Sequence, residues 1–196
     1  MNTPNAASWD WVLAAPQDTL TPDFIETVPM PSLGLACVSG LVSYSLAETL
    51  LTSATRAMAP LAFFTVNLCL QAFGFFSILF IIHQIARLTR NKPVPFRPIF
   101  SVGVIAFIPI HLTLPLALIC RPLEGGGLFL YALGELALWM VVLRRWTSGL
   151  HNLFGWPSWA SMLVVLSPFL IGCLFLLLLT AIVVLCVSLF LIGILA

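Results

Sequence analysis

The chain has 196 residues, of which 61% are hydrophobic and 8% charged. A soluble domain carries about 45–50% apolar and about 25% charged residues, and a mean hydropathy of +1.11 lies far outside that pattern. A water-soluble core of this size and an intrinsically disordered chain are both excluded, and a net charge of +1 from 8 basic and 7 acidic residues gives nucleic acid nothing to hold. The composition points to an all-α integral membrane protein with the lipid bilayer as its main partner.

The first 30 residues do not read as a secretory signal, because they lack a basic leader and contain Asp10, Asp18, Asp23 and Glu26. Trp9, Trp11, Val12 and Leu13 predict a short interfacial helix ending at Pro16. A second short helix is expected after Pro22, capped by Thr21. Residues 1–32 thus form an N-terminal segment, and residues 33–196 a single transmembrane domain.

A span needs roughly 20 apolar residues, and five stretches qualify. The first, about 33–51, is the weakest because it holds several Ser, two Gly and Glu48, which is expected to be merely interfacial. The second, about 61–86, is free of charge from Leu61 to Ile82. The third, 98–120, carries Pro109, His111 and Pro115, and the fourth, 126–143, is apolar except for Glu135. The run Gly125-Gly126-Gly127 between them reads as a flexible turn. The fifth, 159–196, has 38 residues and no charge. As one helix it would be about 57 Å long, against a hydrocarbon core of about 30 Å. Pro168, Gly172 and Thr180 are possible kink points, but no polar turn divides the run, so one long helix is expected rather than an apolar hairpin.

Arg87, Arg90, Lys92 and Arg97 follow the second span, and Arg144 and Arg145 the fourth. These six basic residues share one side with the N-terminus, against Arg56 and Arg121 on the other. The positive-inside rule then predicts a cytoplasmic N-terminus and an outer C-terminus. The four charges following the second span form a basic cytoplasmic loop, which sets topology or recognises anionic headgroups. Trp146, Trp156 and Trp159 fall where an aromatic belt is expected.

Several features together resemble a known pattern. They are Trp11-Val12-Leu13 with Pro16, the segment Asn91-Lys92-Pro93-Val94-Pro95-Phe96-Arg97 entering the third span, Pro109 and Pro115 within it, and His151-Asn152-Leu153 followed by Trp156 to Val165. Over nearly its full length the chain resembles the prokaryotic branch of the Yip family, the Ypt/Rab-interacting-protein-like membrane proteins. The resemblance implies five spans, a cytoplasmic N-terminus and a membrane scaffold in the bacterial inner membrane. The Asp-Leu-Tyr-Gly-Pro type motif of the eukaryotic branch is not found in the sequence, so no Rab-linked role is implied.

Chemistry has few footholds. Cys37, Cys69, Cys120, Cys173 and Cys186 lie in or beside spans without a CxxC, and read as small apolar filler. No Walker loop, GxSxG or HExxH occurs. His83 and His111 differ by about 15 Å in depth, too much for a bis-His haem. No cofactor and no enzymatic role are expected.

The intramembrane polar residues say more, because an ionisable side chain in lipid is costly. His111 and Glu135 each lie about 14 Å from the outer face, Gln71 about 15 Å, and Asn67 one turn from Gln71. A hairpin joined near residue 123 places His111 opposite Glu135, so direct pairing is expected, with Gln71 close by. Two readings stay open: interhelical hydrogen bonds that hold the bundle, or a proton or ligand site. They correspond to two functions. One is a non-enzymatic scaffold or small subunit whose long C-terminal helix meets a membrane-protein partner. The other is a transporter or channel component using the His111–Glu135 site.

Overall fold

The computed structural model describes residue 25 and residues 27–52, 59–90 and 93–195. The chain folds into helices only, among the described residues: α1 (Met30–Thr52), α2 (Pro60–Arg90), α3 (Phe96–Phe107), α4 (Thr113–Cys120), α5 (Glu124–Phe154) and α6 (Ser158–Leu195). Five spans are long and apolar enough to cross a membrane: Met30–Leu51, Pro60–Arg90, Phe96–Leu123, Gly126–Phe154 and Ser158–Ser188. The protein is an all-α bundle of the membrane type. The expected helix at Trp9–Pro16 and the cap at Thr21 lie outside the described residues, as does Lys92.

The third span is the hub. Every residue from Ile99 to Phe107 is buried, and the span packs on α1, α2 and α5. It is broken once. Pro109 lacks a backbone N–H and its ring would meet the carbonyl four residues back, so Ile108–Leu112 tightens into a 3-10 turn between α3 and α4. Pro115 falls in the first turn of α4, where the missing donor costs little.

Around this hub the apolar faces follow the helical period. Phe75, Leu79, Ile82 and Ala86 of α2 are all buried, as are Val142, Trp146 and Leu150 of α5. Phe75 anchors an aromatic run, with its ring centroid 5.0 Å from Phe107 and 6.4 Å from Trp146. Trp146 is therefore a core residue and not part of an interfacial belt. Its position follows from a second correction: α5 does not stop at Leu143 but continues to Phe154, so Arg144 and Arg145 sit on a helix rather than in a loop. Their charges mimic a loop in the sequence, yet their aliphatic stems let a helix carry them at its membrane boundary. The helix ends at Gly155, whose φ of 66° suits glycine, and the Gly155 N–H caps the His151 carbonyl. The glycine run is likewise helical, forming the first turn of α5.

The fifth span is a single helix of 38 residues, with Pro168 inside it. Proline leaves the carbonyl of Val164 without its usual N–H donor. The Ser167 hydroxyl donates to that carbonyl at 2.7 Å, so the helix runs on. Ser161, Val165 and Pro168 are buried against the bundle. From Phe169 to Ser188 every residue is exposed, on all sides of the helix.

Candidate functional site

The site forms where α1 and α5, which both pack on the third span, come within side-chain reach of each other. Each helix carries a tyrosine and, one turn later, a glutamate: Tyr44 and Glu48 on α1, Tyr131 and Glu135 on α5. The helices run antiparallel, so the two pairs meet head to tail. The Tyr44 hydroxyl donates to Glu135 Oε1 at 2.5 Å, and the Tyr131 hydroxyl donates to Glu48 Oε1 at 3.2 Å. Trp139, one turn beyond Glu135, directs its indole N–H at the same Oε1 from 3.4 Å. Tyr44 stands edge-on to Trp139, centroids 6.3 Å apart.

Small residues make this crossing possible. Ala47 of α1 and Ala117 and Cys120 of α4 are buried around Tyr131, which is 3% exposed. Larger side chains there would hold α1 and α5 too far apart for the phenols to reach.

His111 meets α1 elsewhere, at Ser39 rather than at Tyr44 or Glu48. Its Nδ1–H donates to the Ile108 carbonyl at 2.8 Å, within the 3-10 turn. In the neutral ring Nε2 is then an acceptor, and it faces the Ser39 hydroxyl at 2.8 Å. The expected His111–Glu135 pairing is thus corrected. The depth argument put both residues on facing spans, but the Pro109 turn gives the imidazole a carbonyl of its own, and α1 supplies the second partner of each residue. Among the described residues no hydrogen bond or ion pair joins the two.

Gln71 and Asn67 do not join the cluster either. Their helix, α2, packs on α1, α3 and α6. Gln71 makes no hydrogen bond to a described residue, and the buried Asn67 Nδ2 is without a partner. Glu48, by contrast, is part of the network and not merely interfacial. The sequence held a signal for this: the same Tyr-to-Glu spacing of four occurs on two otherwise apolar spans.

Of the basic cluster, Arg90 donates to the Phe154 carbonyl at 2.6 Å, with its guanidinium 5.0 Å from that ring's centroid, and so clamps the end of α5. Arg87 and Arg97 are exposed. His83 Nε2–H donates to the Val94 carbonyl at 2.9 Å and pins the α2–α3 connection. No group of three His, Cys, Asp or Glu is placed to hold a metal among the described residues.

No family model, curated protein or solved structure matches the chain. Its reading therefore rests on this geometry. The arrangement offers paired acceptors and donors inside the bundle, one oxygen of each carboxylate accepting from the neighbouring helix. Such contacts contribute about 0.6–2 kcal/mol each in a membrane.

Proposed function

We propose that the protein is a non-enzymatic scaffold or small integral subunit of a larger membrane complex, of the kind implied by its resemblance to the prokaryotic Yip branch. The observation that carries this reading is α6. The helix is anchored to the bundle only by its first turns, and from Phe169 to Ser188 it offers apolar surface on every side. A small bundle that leaves an entire helical segment unpacked has surface to give to lipid and to another membrane protein.

Purification of the full chain in mild detergent tests it. A stoichiometric membrane-protein partner is expected to co-purify, and Phe175→Ala with Leu179→Ala should release it while leaving the bundle intact, because both side chains are exposed. A chain that travels alone would overturn the proposal.

The second reading, a transporter or channel component, draws on Glu48 and Glu135 at membrane depth, with His111 held to α1 at Ser39. It requires proton or ion exchange by the purified protein in liposomes.

The proposed orientation is N-terminus in the cytoplasm and C-terminus outside, in a bacterial inner membrane, on the bias of six basic residues against two. Reporter fusions after Arg97 and after Ala196 are expected to read cytoplasmic and external respectively. A cytoplasmic signal at the C-terminus would reverse the assignment.

A further inference from the structure

A crevice of about 440 Å³ opens between α5 and the start of α6. Its lining is graded along the helices. Arg144, Thr147, Ser148, His151 and Ser158 line the end near the α5–α6 connection, while Met140, Leu143, Met162, Val165 and Leu166 line the part further along the spans. From Met140 to His151 the helix rises by about 17 Å, enough to place a charged head at one end and an acyl chain at the other. Arg144 is exposed and forms no hydrogen bond or ion pair with a described residue. His151 uses Nδ1 on the Trp156 carbonyl, which leaves Nε2 uncommitted.

We infer that this crevice binds one anionic phospholipid, with its phosphate at Arg144 and the adjoining hydroxyls and one acyl chain along Met140, Leu143, Met162 and Leu166. Charge complementarity selects the head: a cationic guanidinium beside the Ser148 and Ser158 hydroxyls suits a phosphodiester, and none of the described lining residues is acidic. The apolar half selects a lipid over a free anion. The site is separate from the Arg87–Arg97 cluster, which is not a loop but the last turn of α2, with Arg87 and Arg90, and the first turn of α3, with Arg97, and it does not depend on whether α6 carries a protein partner.

The test uses the purified full chain in mild detergent, titrated with dioleoyl phosphatidylglycerol, dioleoyl phosphatidylcholine or inorganic phosphate, with bound species counted by native mass spectrometry. One phosphatidylglycerol is expected to bind about tenfold more tightly than phosphatidylcholine, and inorganic phosphate is expected not to compete. Arg144→Gln should remove the preference. Met162→Trp, which fills the apolar half, should reduce binding of both lipids, while Arg87→Gln should leave it unchanged. Equal binding of the two lipids, competition by phosphate alone, or full retention of the preference in Arg144→Gln would overturn the assignment.

Discussion

Gly127→Ala is expected to lower stability by about 3 kcal/mol or more, the upper range for forcing atoms into a packed site. A β-carbon there would lie 2.0 Å from the carbonyl oxygen of Cys120 and 3.0 Å from its carbonyl carbon. These are backbone atoms at the end of α4, so no rotamer change relieves the clash. The tight connection of the third and fourth spans must open instead, and with it the stacking of Tyr131 on Ala117 and Cys120. Gly126→Ala is the control. A β-carbon at Gly126 meets nothing within 4 Å, and alanine favours the helix by about 0.8–1 kcal/mol over glycine, so that variant should be neutral or slightly stabilised. Thermal unfolding of both variants in the same detergent checks the pair. Equal melting temperatures would show that the connection is not under this constraint.

Glu135→Leu is the second large effect. It strips the acceptor from both the Tyr44 hydroxyl and the Trp139 N–H. An unsatisfied buried donor costs about 1–3 kcal/mol, so a loss of about 2–4 kcal/mol is expected. Glu135→Gln retains a carbonyl oxygen for the same donors and should cost less than about 1 kcal/mol. Tyr44→Phe should weaken the bundle in the wild type but add little to Glu135→Leu, since the bond is already gone. Unfolding measurements on the three variants and the double variant give the coupling. If Glu135→Gln keeps full stability but abolishes proton exchange in liposomes, the transporter reading gains over the scaffold. If Glu135→Leu melts with the wild type, the Tyr44 bond carries no weight.

The span count was legible because apolar length is a direct demand of the bilayer, and the sequence bounds of the third and fifth spans fall close to those of the structure. The interior limits of α2 and α5 were less so. Arg144 and Arg145 look like loop residues until Trp146 beyond them proves to be core, and a hydropathy argument counts the charge without its aliphatic stem. In the site, depth could be computed from helical rise, which set His111 and Glu135 at one level. Partners could not. They lie on α1, whose Ser and Tyr content made it the least convincing span, and these same hydroxyls are what it offers to its neighbours. The Pro109 turn was equally hidden: proline announces a break, but not that His111 will use the Ile108 carbonyl. Gln71 failed because equal depth says nothing about the angular position of a helix in the bundle.

The reciprocal Tyr–Glu pairs also restrict which arrangements of α1 and α5 are affordable. If the two helices slipped past each other by one turn in one direction, Tyr44 would stand opposite Tyr131 and both carboxylates would lose their tyrosine donors. Slipped one turn the other way, Glu48 would meet Glu135, two acids face to face in a low dielectric. Neither displaced register has a compensating bond. Two residue types repeated at one spacing therefore work like a two-pin key. They tell a nascent bundle of near-featureless apolar helices which of several similar packings is the correct one, a decision that Leu and Val surfaces alone leave degenerate.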